Sequence, residues 1–199
     1  MEIERKFLAD PSGLTLSDYP RKEMSQGYLS TDPVIRIRRS NDNYILTVKS
    51  DGLLARREFE TELTKEQFDR LSAKVEGTFL SKTRYLIPYR PADSGATPDI
   101  PDAPISDTPI SDAPVPDIAA GASSHREYTI ELDLFHDALD GLIYAEVEFA
   151  SVEEANAFDP PSWFGKEVTE DGSFTNAALS RLSAHEVRTF LDKALSSGR

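Results

Sequence analysis

Charge and apolarity alternate residue by residue in run after run of this chain. Glu2, Glu4 and Lys6 are separated by Ile3 and Arg5. An extended strand sends successive side chains to opposite faces, so those three charges share one face. Arg36 and Arg38 lie opposite Ile35 and Ile37, and Lys49 ends the next run. Arg56, Glu58 and Glu60 alternate with Arg57, Phe59 and Thr61. Lys82 and Arg84 alternate with Thr83 and Tyr85, Glu131 and Asp133 with Ile130, Leu132 and Leu134, and Glu146 and Glu148 with Ala145, Val147 and Phe149. Solvated strand faces are usually mixtures of Thr, Ser, Gln and scattered Lys, whereas these carry almost nothing but full charges. Each apolar face also needs cover. The pattern therefore predicts an inside-out arrangement, with a charged lumen and an apolar outer surface under helices.

The strand-like runs are 2–8, 26–30, 34–39, 43–49, 55–63, 81–87, 127–134 and 143–149. Eight antiparallel strands are enough to close a β-barrel, and closure removes exposed edges. Asn41-Asp42-Asn43 and Asp51-Gly52 supply turns. Thr64-Lys65-Glu66-Gln67 is a capping box that opens a helix to about Val75. Ser151 opens a short helix that Pro160-Pro161 stops, Thr175 caps another to about Leu182, and Ser183 starts a last one striped by Val187, Phe190, Leu191 and Leu195. The expected fold is α+β: an eight-stranded antiparallel closed β-barrel, a tunnel with a charged lumen, flanked by helices.

Residues 91–124 break the pattern. Proline recurs every five residues at Pro104, Pro109 and Pro114, there is no Lys, Arg or aromatic residue, and six aspartates fall within the stretch. Proline at this density blocks helix and interior strand. The stretch reads as a low-complexity insertion in a single domain spanning 1–199. Its use as a contact to a partner stays open, as does a homodimer.

The absence of cysteine removes thiolate ligands and thiol nucleophiles. No apolar run approaches the ~18 residues of a membrane span, and the acidic N-terminus does not read as a secretory signal, so a cytoplasmic protein is expected. A net charge of -13 argues against nucleic-acid and membrane-surface partners.

Unpaired buried charge is very costly, so a lumen of this kind must satisfy its cations and anions mutually or with a ligand. Both signs together suit an anion that arrives with a divalent metal. Oxygen-only ligands, with no His pair, point to hard cations, Mg²⁺ or Mn²⁺. The basic residues exceed what one phosphate needs, whereas a chain of phosphates would use them. Phosphoryl transfer needs positioning and charge neutralisation more than covalent help. No Ser–His–Asp set or P-loop is visible.

Glu2-Ile-Glu-Arg-Lys6 resembles the ExExK signature of the CYTH domain, or triphosphate tunnel metalloenzymes. The likeness continues through Gln26-Gly-Tyr-Leu29, Arg36-Ile-Arg38, Thr47-Val-Lys49, Arg56-Arg-Glu-Phe-Glu60, Lys82-Thr-Arg-Tyr85, Glu131-Leu-Asp133, Glu146-Val-Glu-Phe149 and Trp163-Phe-Gly-Lys-Glu-Val-Thr169. It is strongest to the short bacterial members that hydrolyse inorganic tripolyphosphate to pyrophosphate and phosphate. It implies that Lys6, Arg36, Arg38, Lys49, Arg56, Lys82 and Arg84 grip phosphates. Asp133, Glu146 and Glu148 would hold the metal on the triphosphate. Glu2 and Glu4 would hold a second metal or position water, supported by Glu58 and Glu60. Tyr28 and Lys82 would act together near the scissile phosphate. Lys166 matches a basic residue of some relatives without a definite role. Hydrolysis of thiamine triphosphate or a nucleoside triphosphate, a class IV adenylyl cyclase, and a polyphosphate-binding module without turnover are the competing readings.

Overall fold

The alternating runs do become strands, and their register fixes which side chains share a face. A computed structural model describes residues 2–49, 55–56, 58–91 and 127–196. The strands are β1 (Glu2–Ala9), β2 (Arg21–Thr31), β3 (Val34–Ser40), β4 (Asn43–Lys49), β5 (Ala55–Arg56), β6 (Glu58–Leu63), β7 (Glu76–Tyr89), β8 (Tyr128–Phe135), β9 (Ile143–Glu148) and β10 (Phe164–Glu167). The helices are α1 (Lys65–Ser72), α2 (Val152–Ala157), α3 (Asn176–Leu179) and α4 (Ala184–Ser196). The β3–β4 turn lies where expected, with Asn41 at φ 50 and its side chain accepting from Glu23 N at 3.0 Å; Asn tolerates that left-handed conformation. The capping box is present too: Thr64 Oγ1 accepts from Gln67 N, and Gln67 Oε1 accepts from Thr64 N.

The sheet is antiparallel, in the order β10-β1-β9-β8-β7-β2-β3-β4-β6, with β5 also pairing with β1. This corrects the expectation of an eight-stranded closed barrel. There are ten strands among the described residues, and no ladder joins β6 to β1. The sheet is therefore not closed. The 55–63 run is divided between two partners. Its first two residues lie on β1, and from Glu58 onward it lies on β4. The chain itself, rather than a full ladder, ties the two ends of the sheet together. β10 was not anticipated, because Phe164–Glu167 is short and has no clean alternation. Proposals for residues 92–124 and for the Asp51-Gly52 turn lie outside the described residues.

Two apolar clusters cover the two faces. The first lies on the expected outer face: Ile3, Phe7, Ile87, Ile130, Leu132, Ala145 and Val147 pack with Ala155 and Phe158 from α2 and its C-terminal end. The second lies on the charged face. Leu8, Tyr28, Leu80, Phe135 and Tyr144 pack with Leu179, Val187 and Ala194 of the C-terminal helices, and Val34 joins them at the edge. Each of these six strand residues shares the parity of the charged positions. They form a tilted row, one from each of β1, β9, β8, β7, β2 and β3, that rims one end of the charged face. The C-terminal helices thus cover the charged face at that end. They do not all lie outside, as the sequence reading expected.

Candidate active site

Register carries the charged residues onto one continuous face. Glu4 is opposite Glu148 and Lys6 opposite Glu146. Glu146 is opposite Glu131, and Tyr144 opposite Asp133. Asp133 faces Arg84 across β7–β8. Across β2, Gln26 faces Arg38 and Tyr28 faces Arg36. Thr47 faces Arg36 and also Glu60, while Lys49 faces Glu58. Glu2 faces Arg56; for these last two only the backbone pairing is described.

The side chains gather into two networks. In the first, on β1, β7, β8 and β9, Arg84 donates to Asp133 through Nε at 2.6 Å and Nη2 at 2.5 Å, and to Glu146 through Nη2 at 2.6 Å. It also pairs with Glu131. Lys82 pairs with Asp133, and Lys6 Nζ lies 2.9 Å from Glu146. Lys82 is 1% exposed and Asp133 0%, so water gives almost no help here. Burial lowers the Lys82 pKa, reinforced by the positive charge of Arg84 and opposed by Asp133 and Glu146. Burial alone would raise Glu146, but Lys6, Arg84 and Lys82 together hold its carboxyl well below the usual range.

The second network, on β3, β4 and β6, sets Arg36, Arg38 and Lys49 against Glu58 and Glu60. Arg36 Nη2 donates to Thr47 at 3.0 Å and Glu58 at 3.3 Å, and sits 3.5 Å from Glu60. Arg38 Nη2 donates to Glu60 at 3.3 Å, and Lys49 Nζ lies 2.9 Å from Glu58. Thr47 also donates to Glu60 at 2.8 Å. Burial, then the charges of Arg36 and Arg84, pull the Arg38 pKa down to about 10, which still leaves it cationic at neutral pH. The Nε atoms of Arg36 and Arg38 are buried with no hydrogen-bond partner among the described residues. Those are donors a polyanion would satisfy.

β2 runs between the networks and brings Gln26 and Tyr28, joined by a 2.9 Å bond from Gln26 Nε2 to the Tyr28 hydroxyl. Beside β1, Thr169, Asp171 and Thr175 line a small cavity with Glu4 and Lys6. Gln26 and Thr47 enter the sequence reading only as members of motifs, with no site role, and Tyr144 does not enter it, because none of the three carries a charge. Their spacing of two from Tyr28, Lys49 and Glu146 was the signal available. Lys166 is exposed and belongs to neither network.

The donor set is all oxygen and nitrogen, which suits phosphate oxygens and a hard cation. Among the described residues, no group of three or more carboxylates or histidines converges as a ready metal site. Asp133 and Glu146 instead spend their oxygens on Lys6, Lys82 and Arg84. An anion that drew those cations away would free the carboxylates.

A family model described as the CYTH domain matches residues 1–109. The chain belongs to the CYTH domain family. An inorganic triphosphatase of Nitrosomonas europaea is 35% identical over 187 residues, covering 90% of this chain and 96% of the relative. An inorganic triphosphatase of Acetivibrio thermocellus is 27% identical over 183 residues, 89% of this chain and 92% of the relative. A solved structure described as an inorganic triphosphatase aligns at TM-score 0.55 and 33% identity, over 92% of this chain and 96% of that one. The match to the family model takes in the ExExK run, and both relatives align over a larger share of the chain than that match covers.

Proposed function

We propose that this CYTH domain hydrolyses inorganic triphosphate to pyrophosphate and phosphate. The observation that carries the proposal is the pair of cation-bearing networks on one buried face, in a chain that aligns nearly end to end with an inorganic triphosphatase. Lys6, Lys82 and Arg84 on one side and Arg36, Arg38 and Lys49 on the other would grip successive phosphates, with Arg56 beside them. Gln26 and Tyr28 lie midway.

The reaction adds water to a terminal phosphorus, breaks the bridging P–O bond and expels pyrophosphate. Glu2 and Glu4 orient the water and accept its proton. Lys82 and Tyr28 stand at the scissile phosphate, where the buried ammonium neutralises charge on the leaving oxygen. Glu58 and Glu60 fix the guanidinium groups of the second network and support the Glu2–Glu4 site. Asp133 and Glu146, once phosphate engages their cation partners, would hold Mg²⁺ or Mn²⁺ together with Glu148. A metal there would supply charge neutralisation on phosphate oxygens. No helix among the described residues is long and apolar enough to cross a membrane.

The test is phosphate release from tripolyphosphate, ATP and thiamine triphosphate, each with Mg²⁺, Mn²⁺ or EDTA. Metal-dependent release that is fastest from tripolyphosphate is expected. Preference for an organic triphosphate would move the assignment to that substrate, and cyclic AMP without phosphate would move it to a cyclase. Tight binding without turnover of any of them would leave a binding module.

A further inference from the structure

Two hydroxyls stand in the apolar rim that ends the charged face. Tyr28 has its bond from Gln26. Tyr144 is fully buried, and its hydroxyl has no hydrogen-bond partner among the described residues. Its ring packs edge-on to Phe135 at 5.3 Å and against Phe174 at 6.0 Å, so phenylalanine would fill the same space without burying an unsatisfied polar atom. A buried hydroxyl that lacks a protein partner calls for an explanation.

The surroundings of Tyr144 supply one. Register places it opposite Asp133 on β8 and Leu8 on β1. Lys6 Nζ lies 5.6 Å from its ring centre. Glu146, Asp171 and Asp133 are the charges that act on its hydroxyl. Tyr144 thus sits where the first network meets the rim. Around it the rim offers Leu8, Phe135 and Leu80, none of which can hydrogen-bond a phosphate.

We propose that Tyr144 is a further substrate-binding residue, whose hydroxyl donates to the terminal phosphate of the chain where that phosphate abuts the rim. The inference rests on the triphosphatase reading for its substrate. It assigns one end of the phosphate chain to the end of the charged face that the C-terminal helices cover.

Tyr144→Phe tests it, with Tyr89→Phe as control. Tyr89 lies on the outer face, and its hydroxyl donates to the Asp159 carbonyl at 3.1 Å. Steady-state kinetics with tripolyphosphate, calorimetric binding of tripolyphosphate and thermal melting are measured on all three proteins. Losing one hydrogen bond to a charged group should lower kcat/KM and binding roughly ten- to a hundredfold. Melting should stay unchanged or rise for Tyr144→Phe, and kcat/KM should stay unchanged for Tyr89→Phe. Tyr144→Phe with wild-type binding and wild-type KM and kcat would overturn the inference. Wild type that binds tripolyphosphate without turnover would sink the enzymatic reading alone, since the calorimetric comparison still decides the role of Tyr144.

Discussion

Asp133 is the acid on which the first network turns, and its replacement by asparagine isolates one charge with little change of shape. Asp133 is 0% exposed and receives Lys82, itself 1% exposed, together with the Nε and Nη2 of Arg84. Arg84 keeps Glu131 and Glu146 after the substitution. Among the described residues Asp133 is the one carboxylate in direct contact with Lys82, so the substitution leaves a buried ammonium with only the more distant charge of Glu146 to offset it. Breaking a buried pair in this way costs about 3–5 kcal/mol. Glu131→Gln removes a partner of the same arginine, but at a side chain 41% exposed, so it should cost under about 1 kcal/mol. The assay is urea unfolding followed by circular dichroism, in phosphate-free buffer because any bound anion would mask the effect by mass action. The double variant Lys82→Met/Asp133→Leu removes both charges and should recover a large part of the loss, although Arg84 gives up two bonds. The reasoning is refuted if Asp133→Asn costs less than about 1 kcal/mol, or if the double variant is no more stable than the single one.

Other outcomes follow from features away from the charged face. Gly77 has φ +76, and a Cβ there would come within 2.2 Å of the Ser180 carbonyl oxygen, which already accepts from Thr78 N at 2.9 Å; Gly77→Ala should cost about 2–4 kcal/mol of stability, read as a lower urea midpoint with an unchanged slope. Glu167 takes two bonds from Arg5, at 2.8 and 2.6 Å, and that guanidinium holds its carboxyl below the usual range. Its contribution is therefore present above the unfolded value near ~4.3 and lost as pH falls through the lower folded value. Glu167→Gln should cost about 0.5–1 kcal/mol at pH 7, a surface-scale figure because Glu167 is 40% exposed, and the gap should close in acid melts. Tyr89 and Tyr128 are directly paired, and Arg90 meets Glu127 at 3.1 Å. Replacing residues 92–126 with a two-residue turn should thus keep tripolyphosphate kcat/KM within about twofold and add up to about 2 kcal/mol of stability from the shorter loop.

The sequence by itself determined which residues share a face. Strand periodicity is two, and a run such as Glu146-Val147-Glu148 can satisfy both its acids and its valine only by sending them to opposite sides. For that reason the membership of the charged face was legible before any coordinates, from Lys6 through Arg36, Lys82, Asp133 and Glu146. Tertiary structure alone decided the partners. Which cation reaches which carboxylate depends on ladder order and register, and these set Arg84 against Asp133, Glu131 and Glu146, and Arg36 against Glu58. Tertiary structure also decided how the sheet ends. Alternation says nothing about whether the last strand meets the first, and the 55–63 run divides itself between β1 and β4 instead of completing a ladder. The apolar rim was hidden for a related reason. Leu8, Phe135, Leu80 and Tyr144 keep the parity of the charged positions, and only the C-terminal helices packed across them show why those places are not charged.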